Sequence, residues 1–149
     1  MISLSHTIAD DYEYISKSDD AVDKSAPDFD EQWRKYLDGT GQAPLLAGVV
    51  PSKFKLRHLQ LSERNKIREM LSNGDNIGAL SGAAVMGLVS ASGIKKPDGS
   101  DWSAERKKID GVNRLTDVAI EQLTDGGKRD DLIFEIGTVV IQRMSPRPS

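Results

Sequence analysis

The 149-residue sequence contains no cysteine. That absence excludes disulfide bonds, thiolate metal sites and a cysteine nucleophile together. Aromatic residues are scarce as well, at 5%, and the hydrophobic fraction of 38% is below the usual share for a globular chain. The length suits one domain. The low hydrophobicity indicates that part of the chain lies extended on a surface instead of in a core.

The sequence also lacks the local patterns of common catalytic sites. It has no phosphate-binding glycine loop, no paired zinc-protease histidines and no serine elbow. His6 and His58 have neither a second histidine nor a cysteine at ligand spacing. Adjacent carboxylates such as Asp10 and Asp11 point apart along a chain and form no ready acid/base pair. We therefore expect no enzymatic activity, no metal and no cofactor.

Signals for export or membrane insertion are weak. The N-terminal residues lack the basic flank and apolar run of a signal peptide. Residues 77–94 form an uncharged run at the lower limit for crossing a bilayer, but its four glycines and its serines make transfer into lipid unfavourable. Because Ile77, Leu80, Ala84 and Leu88 make one stripe, the run predicts a helix buried in protein.

The strongest local pattern is the run PSKFKLRHLQLSERNKIREML. Over 53–58, apolar Phe54 and Leu56 alternate with basic side chains, which is the period of a half-buried strand. The period then becomes helical, with Ser62 as the predicted N-cap and Gly74 as the stop. The sequence therefore predicts a strand followed at once by a helix.

Two amphipathic patterns predict further helices. Residues 28–37 open with acidic side chains suited to a helix N-terminus and carry their aromatic residues on one face. A second helix is predicted to begin at Ser103 or Asp110. Its expected buried stripe is Val112, Leu115, Ala119 and Leu123.

The remaining patterns give a hairpin and a last helix. Pro97-Asp98-Gly99 favours a tight turn, so we expect a hairpin over 94–102 that could add its strands to the strand at 53–58. Residues 130–144 contain a β-branched run that favours a strand by propensity. Their apolar residues recur at helical spacing and Asp130 or Asp131 could cap, so we predict a helix.

These elements together predict an α+β fold, mainly α. About five helices would surround a small antiparallel β element, made of the strand at 53–58 and the hairpin at 94–102. Residues 1–27 are predicted to be an extended acidic arm, 28–145 a single globular domain and 146–149 a short tail. Tyr12, Tyr14 and Ile15 are the arm's only apparent anchors, so we expect a partner in an assembly to hold it, a disordered tail being the alternative.

Charge is distributed unevenly along the chain. Residues 1–38 carry a net charge of −6, whereas 53–68 carry +5. Such separation invites contact between the acidic arm and a basic surface, either within one molecule or between neighbouring copies. The basic strand face is also the best candidate for nucleic acid, but Phe54 lies on the opposite face and the sequence pI is about 5.4. A solvated face or a socket for an acidic partner segment is therefore favoured over nucleic-acid binding.

Two surfaces are candidates for binding a protein partner. The loop GQAPLLAGVVP has an apolar middle that would be costly to leave exposed, and the basic strand face could receive an acidic segment. The predicted partner-binding residues are Tyr12, Tyr14, Ile15, Trp33, Leu45, Leu46, Val49, Val50, Lys53, Lys55, Arg57 and Arg64.

Several short motifs recur in a recognisable order. They are Tyr14-Ile15-Ser16-Lys17-Ser18-Asp19; Pro51-Ser52-Lys53-Phe54-Lys55-Leu56-Arg57, followed by Leu59, Leu61, Glu63 and Arg64; Gly87-Leu88-Val89; Asp98-Gly99; and Glu135-Ile136-Gly137. This order resembles a family of small proteins encoded in the head and tail structural gene clusters of tailed bacteriophages. The chain departs from the family pattern in a longer insertion over 28–50, and in Trp102 where a phenylalanine is expected.

The resemblance implies a non-enzymatic morphogenesis protein. It would be a virion structural or accessory protein that docks on head or tail subunits in multiple copies, found in the virion and, during assembly, in the host cytoplasm. A tail assembly chaperone that binds tape measure or tube protein is one alternative. A small nucleic-acid-binding phage regulator is another.

Overall fold

The computed structural model describes residues 11–144, and within this range the chain is α+β and mainly helical, which confirms the predicted fold class. In chain order the elements are β1 (Asp11–Tyr14), α1 (Phe29–Leu37), β2 (Lys53–Arg57), α2 (Leu61–Ser72), α3 (Asn76–Gly87), β3 (Leu88–Ser92), β4 (Arg106–Ile109), β5 (Val112–Leu115), α4 (Asp117–Leu123) and α5 (Asp130–Gln142).

The predicted strand is the centre of a three-stranded antiparallel sheet. β2 pairs with β1 on one side and with β3 on the other. Phe54 and Leu56 are buried while Lys55 between them is exposed, as the alternation predicts. The neighbours of β2 were not predicted, since neither comes from the 94–102 segment.

The described part of the predicted arm belongs to the domain. β1 pairs with β2 in the register Asp11↔Arg57 to Tyr14↔Phe54. Beyond β1, Ile15, Ala21 and Val22 are also buried. The expectation of a separate arm held by a partner is therefore wrong for residues 11–27, because the pairing partner is a distant part of the same chain. Residues 1–10, with His6 among them, and the predicted tail at 146–149 lie outside the described residues.

Helices α3 and α5 form the core. Their small residues allow the backbones to approach closely: a Cβ placed on Gly137 would lie 2.0 Å from the carbonyl oxygen of Leu80. A Cβ on Gly87 would lie 2.8 Å from the Val140 side chain. Buried side chains of α3, such as Ala83, fill the space beside these contacts. Gly87 of the 77–94 run thus serves helix packing. Among residues 11–144, none of the helices has the length and apolarity to span a membrane.

The predicted helix over 77–94 is wrong in its second half. α3 ends at Gly87, and the chain continues directly into β3, which pairs with β2 through contacts such as Phe54↔Ala91. The apolar stripe that runs from Ile77 to Leu88 gives no sign of the change from helix to strand. Residues 88–92 become a strand because β2 offers them a hydrogen-bonding edge, which is a tertiary effect that overrides local pattern.

The expected hairpin over 94–102 is present in a minimal form, in which the Lys96 amide donates to the Ser100 carbonyl at 2.8 Å. A single bridge joins Lys95 to Asp101, and the Trp102 amide donates to the Ile94 carbonyl at 2.9 Å. The segment does not join the sheet of β2.

A different hairpin lies next along the chain, where β4 and β5 pair in an antiparallel ladder. Asp110 and Gly111 connect them with φ values of 51° and 79°. Two adjacent residues with positive φ are typical of the two-residue turn that matches strand twist. The predicted helix from Ser103 or Asp110 is therefore wrong up to Leu115. α4 begins only after Thr116, whose hydroxyl accepts from the Ala119 amide at 3.2 Å.

The other helices follow the predictions except at their caps. α1 buries Trp33 as expected, and α5 confirms the choice of helix for the last element. α2 begins one residue before Ser62, and its cap is Gln60, which forms a reciprocal capping box with Glu63. Neither predicted aspartate caps α5, since both lie in its first turn.

The close approach of α3 and α5 gives a stability prediction. Gly137→Ala should destabilise the protein by about 2 kcal/mol or more, because the new methyl group would meet backbone atoms that cannot rotate away. Gly82→Ala is the matched control, since its methyl group would meet side-chain ends and no backbone, with Ile67 Cδ1 at 3.3 Å and Met70 Sδ at 3.9 Å. Alanine also favours the helix by up to about 1 kcal/mol at both sites. Urea unfolding measures both, and equal stabilities would contradict the packing described.

Candidate docking surface

Three of the predicted partner-binding residues lie in the core and cannot meet a partner. Tyr14, Ile15 and Trp33 are 3%, 7% and 5% exposed. The ring of Tyr14 stacks on that of Tyr36 and meets Trp33 edge-on. The sequence was misleading here because an aromatic anchor for a neighbour and one for the chain's own core share the same pattern.

Tyr12, a fourth predicted residue, is half-buried. Its ring lies 4.8 Å from the Arg143 guanidinium and 5.0 Å from the ring of His58. Burial raises the pKa of Tyr12 to about 12, against a smaller lowering by the Arg143 charge. Tyr12 therefore packs inside its own molecule.

Glu135 of α5 binds the segment that follows β1. Its carboxylate accepts hydrogen bonds from the Tyr14 hydroxyl, from Ser16 Oγ at 2.7 Å and from the Lys17 amide at 2.9 Å. Both carboxylate oxygens are used, so Glu135 has a structural role. The sequence does contain a signal for this role, since Glu135 is the single acidic residue within the apolar run LIFEIG. Two of the motifs that carry the family resemblance, the one beginning at Tyr14 and the one beginning at Glu135, meet at this carboxylate.

The basic strand face is largely neutralised by β1. Lys53 Nζ lies 3.6 Å from Glu13 and Lys55 Nζ lies 3.6 Å from Asp11. The contact between acidic and basic segments, which the charge pattern left open, is thus made within one molecule. Exposed pairs of this kind add about 1 kcal/mol or less to stability. Their main effect is that the face loses its net charge.

The two predicted arginines hold the junction between β2 and α2. Arg57 binds Glu63 with two hydrogen bonds, at 2.9 and 2.6 Å, and Arg64 donates to the Leu59 carbonyl at 2.7 Å. Burial alone would raise the pKa of the Glu63 carboxyl, but the hydrogen bonds from Arg57 and from the Gln60 amide, together with the nearby arginine charges, outweigh it and the pKa is lowered. Arg57 and Arg64 therefore stabilise the junction between β2 and α2.

The apolar loop at 45–50 is the predicted surface that the structure does expose. Leu45, Leu46 and Val49 are each about two-fifths exposed, and Val50 is 90% exposed. Four large apolar side chains thus meet solvent within six residues. We call this segment the 45–50 loop.

The backbone of the 45–50 loop is anchored on both sides. The Leu46 amide donates to the Ala21 carbonyl at 2.8 Å. After the loop, the Ser52 amide donates to Asp19 at 2.9 Å and its hydroxyl donates to the Gly93 carbonyl at 2.8 Å. These bonds fix the ends of the loop, so its apolar side chains are presented in a defined arrangement.

A cavity of about 410 Å³ adjoins the loop. Val49 and Val50 line it on one side, and Asp19 and Arg129 contribute charged groups. The lining of the cavity mixes these groups with buried apolar side chains such as Phe54. The loop and this cavity together form the candidate docking surface.

Within residues 11–144, no group of three His, Cys, Asp or Glu side chains is placed to hold a metal ion. Comparison with protein-family models, with curated proteins and with solved structures finds no match for this chain.

The contact between Tyr14 and Glu135 gives a pH prediction. Burial, followed by the negative charge of Glu135 and its hydrogen bond, raises the pKa of Tyr14 well above 10.0. The folded state therefore holds the phenolic proton more tightly than the unfolded chain does. Its contribution to stability is full below about pH 10 and is lost as the pH rises towards the folded value.

We expect Tyr14→Phe to lose less stability than the wild type between about pH 8 and about pH 11, measured by urea unfolding. Part of the alkaline loss should remain, because the pKa of Tyr12 is also raised. Identical pH dependence in the two proteins would contradict the role given to Tyr14.

Proposed function

We propose that this protein is a non-catalytic morphogenesis protein of tailed bacteriophages, a virion structural or accessory protein that docks on head or tail subunits through the 45–50 loop. The observation that carries the proposal is the anchored exposure of the loop's four large apolar side chains. Contiguous apolar surface on an ordered segment marks an interaction site.

The energetics of the loop support docking. Fully burying one valine or leucine side chain contributes about 1.5–3 kcal/mol. Val50 has the most to gain, because only a tenth of it is covered in the isolated chain. The fixed ends of the loop reduce the conformational entropy that binding would cost. A partner with a complementary apolar groove would thus gain several kcal/mol from this one segment.

The viral setting rests on the order of motifs described above. In the structure two of those motifs meet at the Glu135 carboxylate. The docking loop lies in the insertion by which this chain departs from the family pattern. We infer that the insertion adapts the body to its own neighbouring subunit.

The structure changes the expected mode of docking. An exchanged N-terminal arm is not required, because β1 and the segment after it already pair with the chain's own sheet and with α5. The protein instead acts as a rigid body with one apolar contact loop, and several copies in a symmetric assembly would multiply that contact.

The double variant Val49→Ser, Val50→Ser tests the proposal. We expect its unfolding free energy to change by only about 0.5 kcal/mol, because Val50 is almost fully exposed and Val49 is partly so. Its incorporation into virions should fall about tenfold or more, since docking would lose its most exposed apolar anchor. Quantitative mass spectrometry of purified particles from the phage that encodes the chain measures the incorporation.

The control is Ile77→Ser, Val118→Ser, which removes two exposed apolar side chains outside the loop, 69% and 65% exposed. This variant should incorporate like the wild type. Normal incorporation of the loop variant would overturn the docking surface. A wild-type protein that is absent from virions, combined with a loop variant that blocks particle formation, would identify a tail assembly chaperone instead.

A further inference from the structure

A basic cleft lies between α2 and the β4–β5 hairpin, with a volume of about 850 Å³. Its lining contains five basic side chains and one acidic side chain, a formal net charge of +4 on a chain whose overall charge is −3. The charged residues are Arg57, Glu63, Lys66, Arg106, Lys107 and Lys108.

The two arginines form a fixed floor. The Arg106 guanidinium donates to two carbonyls at the end of α3, those of Met86, at 2.9 Å, and Leu88. It also donates to the Asn113 carbonyl on β5 at 2.9 Å. It thereby satisfies carbonyl groups that a helix C-terminus leaves without a partner. Arg57 is held by Glu63. Burial, and next the Arg57 charge, lower the pKa of Arg106.

Three lysines supply the rim of the cleft. Lys66 on α2 and Lys107 and Lys108 on β4 are exposed. Of the carboxylates in the described range, none lies within ion-pair distance of their ammonium groups. This distinguishes them from Lys53 and Lys55, whose charge β1 neutralises.

The hairpin itself keeps like charges together. Lys107 stands directly opposite Arg114 in the β4–β5 register. Like charges at such positions destabilise a strand pair, so the arrangement costs stability in the isolated chain. Asp117 compensates for Arg114 at 3.0 Å, but Lys107 has no such partner in the described chain.

The other lining residues narrow the class of ligand. They are the polar or small Gln60, Ser62, Gly111 and Asn113, and the apolar Met86 and Val112. No aromatic side chain lines the cleft to stack a base. Lysines bind phosphate as point charges and need no fixed geometry.

We propose that this cleft binds the phosphate backbone of duplex nucleic acid, independently of sequence. A duplex presents one negative charge per about 1.7 Å of its axis, so several phosphates can meet the lysine rim at once. This function is separate from docking through the 45–50 loop. A capsid or tail protein with both surfaces would contact a subunit and the packaged genome.

The test is fluorescence anisotropy with a labelled random-sequence duplex of about 20 base pairs, titrated with the full chain across a salt series starting near 50 mM. Three phosphate contacts predict a slope of log affinity against log salt of about −3. The triple variant Lys66→Gln, Lys107→Gln, Lys108→Gln should weaken binding about tenfold or more at the lowest salt and bring the slope close to zero.

The matched control is Lys24→Gln, Lys35→Gln, Lys128→Gln. It makes the same change in net charge at three exposed lysines outside the cleft. It should change the affinity by no more than about twofold and keep the salt slope. Urea unfolding verifies that both triple variants are folded. Equal losses in the two variants would overturn the site, and so would tighter binding of polyglutamate than of the duplex, since it would make the cleft a receptor for an acidic protein segment.

Discussion

The fold depends on how closely α3 and α5 approach each other. At Gly137 the α5 backbone leaves no room for a side chain beside the Leu80 carbonyl. Two other parts of the domain are positioned by this pair. β3 continues directly from α3, so α3 determines where the sheet edge lies, and Glu135 of α5 holds the segment after β1. A change that separated the two helices would therefore disturb both edges of the sheet.

Charge is sorted by the same architecture. Strand pairing brings the acidic residues of β1 onto Lys53 and Lys55, so a face that looks basic in the sequence is close to neutral in the folded chain. Positive charge accumulates instead on α2 and the β4–β5 hairpin, where no strand of opposite charge pairs with it in the described part of the chain. The apolar loop and the basic cleft are thus separate surfaces.

Local pattern predicted the elements whose cause is local. The alternation around Phe54 gave β2, and helical spacing gave α1 and α5. The 45–50 loop could be predicted as well, because its apolar residues follow one another in the sequence.

Elements that depend on long-range contacts could not be predicted from local patterns. Tyr14 was assigned to a surface arm because its partners lie on β2 and α5. Val112 and Leu115 mimic a helical stripe with the following residues, although Asp110-Gly111 between the strands forms a hairpin turn. The basic cleft could not be predicted, since it joins Lys66 to the β4–β5 hairpin, whose sequence pattern favours a helix.

The central claim is that the apolar loop is already arranged for docking in the isolated protein. Native-state hydrogen exchange tests this at the amides of Leu46 and Ser52, which donate to Ala21 and Asp19. The account predicts exchange about a hundredfold or more slower than in an unstructured peptide, because these bonds must open first. Exchange at the unstructured rate would show that the loop is ordered only by a partner, and would contradict the account.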